Sequence, residues 1–156
     1  MRPPDVPALR VVVDVNIIVR GILSSTGGSA LILEAIRRRR CLLVTSRQHL
    51  GETLGVLARP RMQNRYGITT RRRKRILTRL ITHAAIVSPQ GHLQICRDPK
   101  DDYLIETALA GNATHLVTED GDLHDDTEIH ALLKQFGVRL TRIEDFLRDL
   151  ARAPHV

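Results

Sequence analysis

The sequence is poor in cysteine and in aromatic residues. It has two cysteines in 156 residues, Cys41 and Cys96, which lie 55 positions apart. This excludes a disulfide framework and a cysteine zinc site, and it favours a reducing, cytoplasmic compartment. The chain has no tryptophan, two tyrosines and two phenylalanines, which leaves little for base stacking. Any nucleic-acid binding should therefore depend on phosphate contacts and shape.

Long hydrophobic runs are also missing. No apolar run approaches the ~20 residues that cross a bilayer, and the start of the chain carries prolines and an acid where a secretory signal would need an apolar run. We therefore expect a cytoplasmic protein with no membrane partner. The 42% share of hydrophobic residues is enough for a core, and the length suits one domain, which we predict over residues 1–156.

Charge is abundant but unevenly divided. Residues 1–79 contain 17 Arg and Lys against 4 Asp and Glu, whereas residues 80–156 contain 7 against 13. This division favours a polyanionic partner for the first half. A GC-rich coding bias is the alternative, because arginine outnumbers lysine 21 to 3. The run Arg71–Arg75 is typical either of a solvated helix face or of a phosphate-binding surface.

Short β-branched runs alternate with segments of helical spacing, which predicts a parallel sheet with helices on both faces. The predicted strands are 9–13, 41–45, 84–87, 114–118 and 138–140.

Helix starts are predicted from capping residues. Single side chains predict caps at Ser29, Ser46, Thr69 and Asp98, and Thr141 with Glu144 forms a capping-box pattern. A basic linker is expected after Pro60, and a polar loop over 119–126.

Four acids stand where a parallel sheet could bring them together. Asp14 and Asp120 follow the predicted strands 9–13 and 114–118. Glu52 lies on the predicted helix after strand 41–45, and Asp102 lies in the first turn of the helix that Asp98 is predicted to cap. Ligands of open α/β sheets bind beyond the carboxyl ends of the strands. Several buried carboxylates repel one another unless a cation neutralises them, and oxygen ligands suit Mg²⁺ or Mn²⁺. A carboxylate-held ion beside a basic surface favours phosphodiester hydrolysis.

Each acid also has an ordinary structural interpretation. Asp98 is a natural helix cap, and Asp101 and Asp102 both suit a helix N-terminus. Glu52 could be an ordinary exposed helix residue, and Asp120 with Asp122 could form a turn. The seven histidines show no paired ligand spacing, so we interpret them as surface residues or as residues with satisfied hydrogen bonds.

Four segments resemble the motifs of PIN domains. Residues 11–16 resemble the opening D-x-N motif, and residues 45–61 resemble the helix that carries the second acid. Residues 97–105 resemble the segment of the third acid, and residues 117–123 resemble the closing T-x-D element. The resemblance covers about residues 9–147, and within the family it is greatest to VapC-like toxins of toxin–antitoxin systems.

The resemblance implies a three-layer α/β/α sandwich with a mainly parallel central sheet. It also implies a Mg²⁺- or Mn²⁺-dependent endoribonuclease acting on single-stranded RNA, frequent homodimers and a cognate antitoxin protein. It favours Asp102 over Asp101 as the third acid, although the position is ambiguous by one residue. The implied catalytic acids are Asp14, Glu52, Asp102 and Asp120, of which Asp14, Asp102 and Asp120 would hold the metal; Asn16, Ser46 and Thr118 would support them, with Asp122 as a further candidate.

Two other classes remain open at this point. The first is a catalytically inactive PIN-like module that binds RNA or regulates, which the presence of all four acids argues against. The second is a phosphoaspartate protein. Asp14-Val15-Asn16 lacks the second acid of the D-x-D motif of haloacid dehalogenases, and the early acidic pair of receiver domains is absent.

Overall fold

A computed structural model describes residues 9–91, 93–96 and 98–154. Its five strands form a single sheet with the order β3-β2-β1-β4-β5, and every neighbouring pair is parallel. From β1 the chain builds outward through β2 to β3 and then crosses to β4 on the other side of β1. A crevice therefore opens at the carboxyl ends of β1 and β4, where ligands bind in open parallel sheets. The strands are β1 (Arg10–Val13), β2 (Leu42–Ser46), β3 (Ala84–Val87), β4 (His115–Val117) and β5 (Arg139–Thr141).

The helices lie on both faces of this sheet, which confirms the predicted three-layer α/β/α fold. In the described part of the chain they are α1 (Val15–Leu23), α2 (Gly28–Arg37), α3 (Arg47–Leu57), α4 (Pro60–Tyr66), α5 (Thr70–Thr82), α6 (Pro99–Ala110), α7 (Gly121–His124), α8 (Thr127–Gln135) and α9 (Ile143–Arg152).

The central strand β1 supplies both halves of the core. Because successive side chains of a strand point to opposite faces, Val11 and Val13 pack with residues of α1, α2 and α9. Val12 packs on the other face, with residues of α6 and α8. All three valines are completely buried, so β1 is held rigidly from both sides and gives a fixed base to the residue that follows it, Asp14.

A third, smaller cluster explains why the predicted basic linker is wrong. Pro60 is the first residue of helix α4, since proline has no N–H to lose at that position and its backbone angle suits a helix start. The cluster buries Val19, Leu57 and Ile68 between α1, α3 and the end of α4. Gly67, with φ 64°, ends α4 in the left-handed conformation that favours glycine.

Three of the predicted side-chain caps are confirmed. The Ser46 hydroxyl accepts a hydrogen bond from the His49 N–H at 3.1 Å, and Thr69 and Asp98 accept corresponding bonds at the starts of α5 and α6. The predicted cap at Ser29 is wrong. Helix α2 begins at Gly28, two residues earlier than a Ser29 cap would start it, and it follows Gly27, which has φ 93° and makes no side-chain cap bond. Ser29 therefore lies in the first turn of the helix, where it is buried.

The predicted capping box at Thr141 is also wrong. Thr141 belongs to β5, so its backbone is committed to the sheet, and its hydroxyl is buried. The first turn of α9 is capped from a distant loop, where Glu119 Oε1 accepts a hydrogen bond from the Ile143 N–H at 2.8 Å. Glu119 also accepts from the Arg142 guanidinium at 3.2 Å. The capping carboxylate is thus 24 residues away in the sequence.

Two further local differences concern exposure and the polar loop. Ile81, which follows Leu77 by four residues and so shares its side of the helix, is nonetheless 42% exposed at the end of α5. The predicted polar loop contains the single helical turn α7. Within the described residues no single helix is long and apolar enough to cross a membrane; α1 and α2, bent by 91°, satisfy length and composition only when taken together.

Candidate active site

Asp14 stands at the mouth of the crevice between β1 and β4. Its N–H donates to the Val117 carbonyl at 3.0 Å, which extends the β1–β4 pairing by one residue. Its Oδ2 accepts a hydrogen bond from the Thr118 hydroxyl at 2.7 Å, and its Oδ1 accepts from the Asn16 N–H at 3.3 Å. The carboxylate is therefore held in place while it stays partly open to solvent. Asn16 is exposed on the first turn of α1.

Thr118 connects Asp14 to the next acid. Its side chain is completely buried, and its hydroxyl oxygen accepts from the Asp120 N–H at 3.1 Å while it donates to Asp14. Asp120 in turn caps α7, where its Oδ1 accepts from the Asp122 N–H at 2.9 Å. Asp122 itself is exposed. One hydroxyl group thus links the Asp14 carboxylate to the backbone N–H of Asp120.

Asp102 and Glu106, one turn apart on α6, hold the segment that precedes this helix. Asp102 Oδ1 accepts hydrogen bonds from the Ile95 N–H at 3.0 Å and the Cys96 N–H at 2.8 Å. Glu106, which is buried, accepts from the N–H groups of Gly91, at 2.9 Å, and Leu93. These carboxylates satisfy backbone donors that lack a strand partner, which is a structural use for Asp102.

Asp101 is the acid of this helix that interacts with the crevice. Partial burial, followed by the negative charges of Asp120, Asp98, Asp14 and Asp102, raises the pKa of its carboxyl from 3.8 to about 6. Successive residues of a helix are turned by about 100° from one another, so Asp101 and Asp102 cannot have the same surroundings. In the sequence both acids suit a helix N-terminus, and only the family resemblance favours Asp102.

Helix α3 contributes Ser46, His49 and Glu52. The Ser46 hydroxyl is buried in its capping role. Glu52 is half-buried, and its Oε1 accepts from the Gln48 amide at 3.4 Å. The His49 ring lies near Asp14 and Glu52, whose charges both act on it. Glu52 therefore approaches the crevice from the β2 side of the sheet.

His49 is the residue near the site to which sequence reasoning assigned no role. It is buried, and its Nε2 makes a 2.5 Å hydrogen bond with the carbonyl of Val13, the residue before Asp14. Burial lowers the pKa of the imidazole, although Val13, Asp14 and Glu52 act in the opposite direction. A neutral ring that donates to this carbonyl steadies the end of β1, which fits the interpretation of a satisfied histidine.

An open cleft of about 520 Å³ adjoins the site and is strongly acidic. Asp101 lies on its wall, so this carboxyl stands between the cleft and the crevice. The other lining residues are Cys96, Asp122, Leu123, Asp125, Asp126, Thr127, Glu128 and Ile129.

The donor set of the site is made of carboxylates and hydroxyls, which suits a hard divalent cation such as Mg²⁺ or Mn²⁺ better than zinc. In the described part of the chain, no group of three or more His, Cys, Asp or Glu side chains is already arranged to hold a metal ion. Partial burial and the charges of neighbouring acids raise the pKa of Asp101, and a cation bound there would offset the effect of those charges.

Comparison with known protein families agrees with this geometry. A family model described as PIN domain matches residues 10–122, a range that contains Asp14, Glu52, Asp101 and Asp120. The chain belongs to the PIN-domain family. PIN domains are nuclease-type domains and typically depend on divalent metals, so a nuclease-type activity is the general expectation for this chain.

One curated relative is also similar to this chain, and its name states no function. An uncharacterized protein of Methanocaldococcus jannaschii is 28% identical over 115 residues, which are 74% of this chain and 73% of the relative. No solved structure gives a significant match.

Proposed function

We propose that this PIN domain is a Mg²⁺- or Mn²⁺-dependent endoribonuclease that cleaves single-stranded RNA. One observation carries the proposal: Asp14, Asp101 and Asp120, which come from three separate segments, lie near enough to one another at the carboxyl ends of β1 and β4 for their charges to interact. The Thr118 hydroxyl donates to the Asp14 carboxylate and accepts from the Asp120 N–H. Partial burial and then the charges of Asp120 and Asp14 raise the pKa of Asp101. A fold that gathers carboxylates without pairing them is suited to holding a cation.

In this proposal Asp101 replaces Asp102 as the third metal ligand. Asp102 Oδ1 already accepts two backbone hydrogen bonds. For Asp101, partial burial and the charges of neighbouring acids raise the pKa instead. Asp102 then has a supporting role, because it holds the segment that leads into α6. Asp14 and Asp120 keep their predicted ligand roles.

Glu52 is proposed as the fourth catalytic acid. It is carried by α3, and its charge acts on His49 together with that of Asp14; from this helix it would orient the attacking water. Asn16, Ser46 and Thr118 support the acids, and Asp122 is proposed as an outer ligand at the rim of the cleft. When bound, the divalent ion lowers the pKa of a water molecule and stabilises negative charge on the phosphoryl group.

The test is cleavage of an unstructured RNA oligonucleotide by the purified protein, with Mg²⁺, Mn²⁺ or EDTA. We expect cleavage with a divalent ion and none in EDTA. Asp14→Asn should abolish cleavage while circular dichroism and the unfolding midpoint show an intact fold. Asp145→Asn, on the exposed side of α9, is the matched control and should cleave like the wild type.

Two results would contradict the proposal. The first is full activity of Asp14→Asn. The second is a wild-type protein that binds RNA but stays inactive with both ions, which would favour the catalytically inactive module.

For the cellular role, we propose the toxin of a toxin–antitoxin pair, acting in the cytoplasm as a homodimer and neutralised by its antitoxin. The support is the likeness of the four motif segments to VapC-like toxins, and the two unpaired cysteines suit a reducing compartment. A small antitoxin-like gene directly upstream, whose product restores growth when both genes are expressed, is the expected result. Toxicity that the neighbouring product does not relieve would contradict it.

A further inference from the structure

The helices α4 and α5 belong to a part of the chain that has no carboxylate. From residue 53 to residue 97 there is no Asp or Glu, but there are ten Arg and Lys. A GC-rich coding bias would explain arginine in place of lysine, but not 45 residues without an acid. Acids at helical spacing normally relieve the repulsion between neighbouring cations. The cations of this segment therefore have no acid within the segment to compensate their charge.

The structure divides the six cations of α5 into two groups. Arg72 and Arg73 are occupied: Arg72 Nη1 donates to the Tyr66 carbonyl at 2.9 Å, and Arg73 Nη2 donates to the Thr70 hydroxyl at 3.0 Å. They secure the junction of α4 with α5. The second group has exposed side chains that make no hydrogen bond or ion pair with any described residue. It consists of Arg71, Lys74, Arg75 and Arg79, which we call the α5 row.

The α5 row is straight and faces outward. Arg71, Arg75 and Arg79 are four residues apart, so they lie on one side of the helix at steps of about 6 Å. The opposite side of α5 is apolar, and its Ile76 and Leu80 pack into the core. The step between cations is of the same order as the separation of neighbouring phosphates along an extended nucleic-acid strand.

The position of α5 connects the row with the candidate active site. Helix α5 leads into β3, so it ends at the amino end of the sheet and runs antiparallel to the strands. Its 13 residues span about 20 Å, which brings its first turns toward the carboxyl ends. It packs against α3, the helix that carries Glu52.

We propose that the α5 row binds the phosphates of single-stranded RNA beside the site of cleavage. The nature of the polyanion rests on the proposed function, whereas the location of the surface rests on the contacts of the arginines. Scarce aromatic residues fit the same picture, because affinity must then come from phosphates. The cations of the α5 row supply this affinity. Arg72 and Arg73, which donate to oxygens of neighbouring residues, keep the helix in place.

The experiment measures RNA binding by fluorescence anisotropy in EDTA, from about 50 to 200 mM KCl. The variant Arg71→Gln/Arg75→Gln/Arg79→Gln should weaken binding at the lowest salt by about 10-fold or more. It should also lower the slope of log Kd against log salt by about 2, since each phosphate contact to a single strand contributes about 0.7. Arg75→Gln alone should lower it by about 0.7.

The matched control is Arg37→Gln/Arg38→Gln/Arg39→Gln. It removes the same charge, but just before β2 at the opposite end of the sheet, where Arg37 and Arg38 are paired with Glu34. Its slope should equal that of the wild type. A second control is Arg72→Gln. It should lower the unfolding midpoint clearly and change the slope of log Kd against log salt only slightly.

A folded triple variant with wild-type affinity and slope would overturn the proposal, as would polyglutamate that competes with RNA at equal charge. The proposed function fails separately: a loss of slope in the triple variant together with no cleavage by the wild type contradicts the nuclease but supports the surface. If the wild type cleaves RNA but the triple variant binds RNA with wild-type affinity and slope, only the proposed binding surface is contradicted.

Discussion

Carboxylates have opposite surroundings at the two ends of the parallel sheet. At the amino ends of β4 and β5, Asp149 of α9 accepts hydrogen bonds from His115, at 2.9 Å, and from Arg139, at 2.5 Å. Burial would raise the pKa of Asp149, but the bond from His115 and the charges of Arg139 and His115 lower it. At the carboxyl ends, Asp101 lies among other acids, and its pKa rises to about 6.

This difference separates a structural use of charge from a functional one. A carboxylate that is paired within the chain stabilises the fold, whereas carboxylates crowded without cations destabilise it until a ligand arrives. In the described residues, no Lys, Arg or His forms an ion pair with Asp14, Asp101 or Asp120. The protein tolerates this repulsion at the end of the sheet where ligands of open parallel sheets bind.

The largest expected effect tests which acid of α6 belongs to the crowded end. Asp101→Asn should lower RNA cleavage by at least about 10²-fold, because it removes a charge that would face the metal. Asp102→Asn keeps an oxygen that can accept from Ile95 and Cys96, so it should lose roughly 10-fold at most. Single-turnover cleavage rates of both variants give the comparison. A larger loss in Asp102→Asn would restore Asp102 as the ligand.

The next effect tests the paired end. Asp149→Ala should lower the free energy of unfolding by about 3 kcal/mol, since it leaves His115 and Arg139 without their partner. RNA cleavage below the unfolding midpoint should not change. Urea denaturation measures the effect, and Arg148→Ala on the same helix, whose ion pairs are exposed, should cost less than about 0.5 kcal/mol. Equal costs for the two variants would contradict the distinction.

A third effect uses pH to compare the ends. The folded pKa of Asp101 lies above its unfolded value, so the folded state holds the proton more tightly. Its contribution to stability is therefore complete below about pH 3.8 and is lost as the pH rises through about 6.

Asp101→Asn should accordingly raise the free energy of unfolding at pH 7. The full linkage of about 3 kcal/mol is reduced to about 1–2 kcal/mol because solvent screens a partly exposed carboxyl. At pH 4 the gain should disappear, and a divalent ion should diminish it at pH 7. Urea titrations at the two pH values measure this, and a variant that is destabilised at pH 7 would show that Asp101 is not crowded.

The smallest expected effect concerns a carboxylate near the crowded end that is satisfied by backbone. Glu106→Gln replaces one accepting oxygen by an NH₂ group, so one of its bonds to Gly91 and Leu93 must fail. We expect a loss of about 1 kcal/mol in stability and faster amide exchange at these two residues, as measured by hydrogen exchange. Unchanged exchange would mean that Glu106 does not hold this segment.

Local patterns in the sequence were enough for most of the framework. Each of the five predicted strands is present to within one or two residues, because a short β-branched run between turn residues has few other uses. Ser46, Thr69 and Asp98 were recognisable as caps, since a cap bonds to N–H groups only two or three residues away.

Two of the failures involve partners that are distant in the sequence. Thr141 and Glu144 form a valid capping pattern, but β5 takes Thr141 and Glu119 arrives from another loop to cap α9. A proline such as Pro60 is common both after the end of a helix and at the start of one. Only the apolar cluster of Val19, Leu57 and Ile68, in which Val19 is the distant member, explains the helix that follows Pro60.

For this protein, the sequence by itself determined the class of fold and the strand ends that carry acids, because spacing along the chain decides both. It could not choose between Asp101 and Asp102, which differ only in direction around a helix. It also could not separate Arg71 and Arg75 from Arg72 and Arg73. Only the tertiary structure separates their surroundings, because folding determines which groups each charge faces: backbone donors for Asp102, the charges of other carboxylates for Asp101, carbonyl and hydroxyl oxygens for Arg72 and Arg73, and solvent for Arg71 and Arg75.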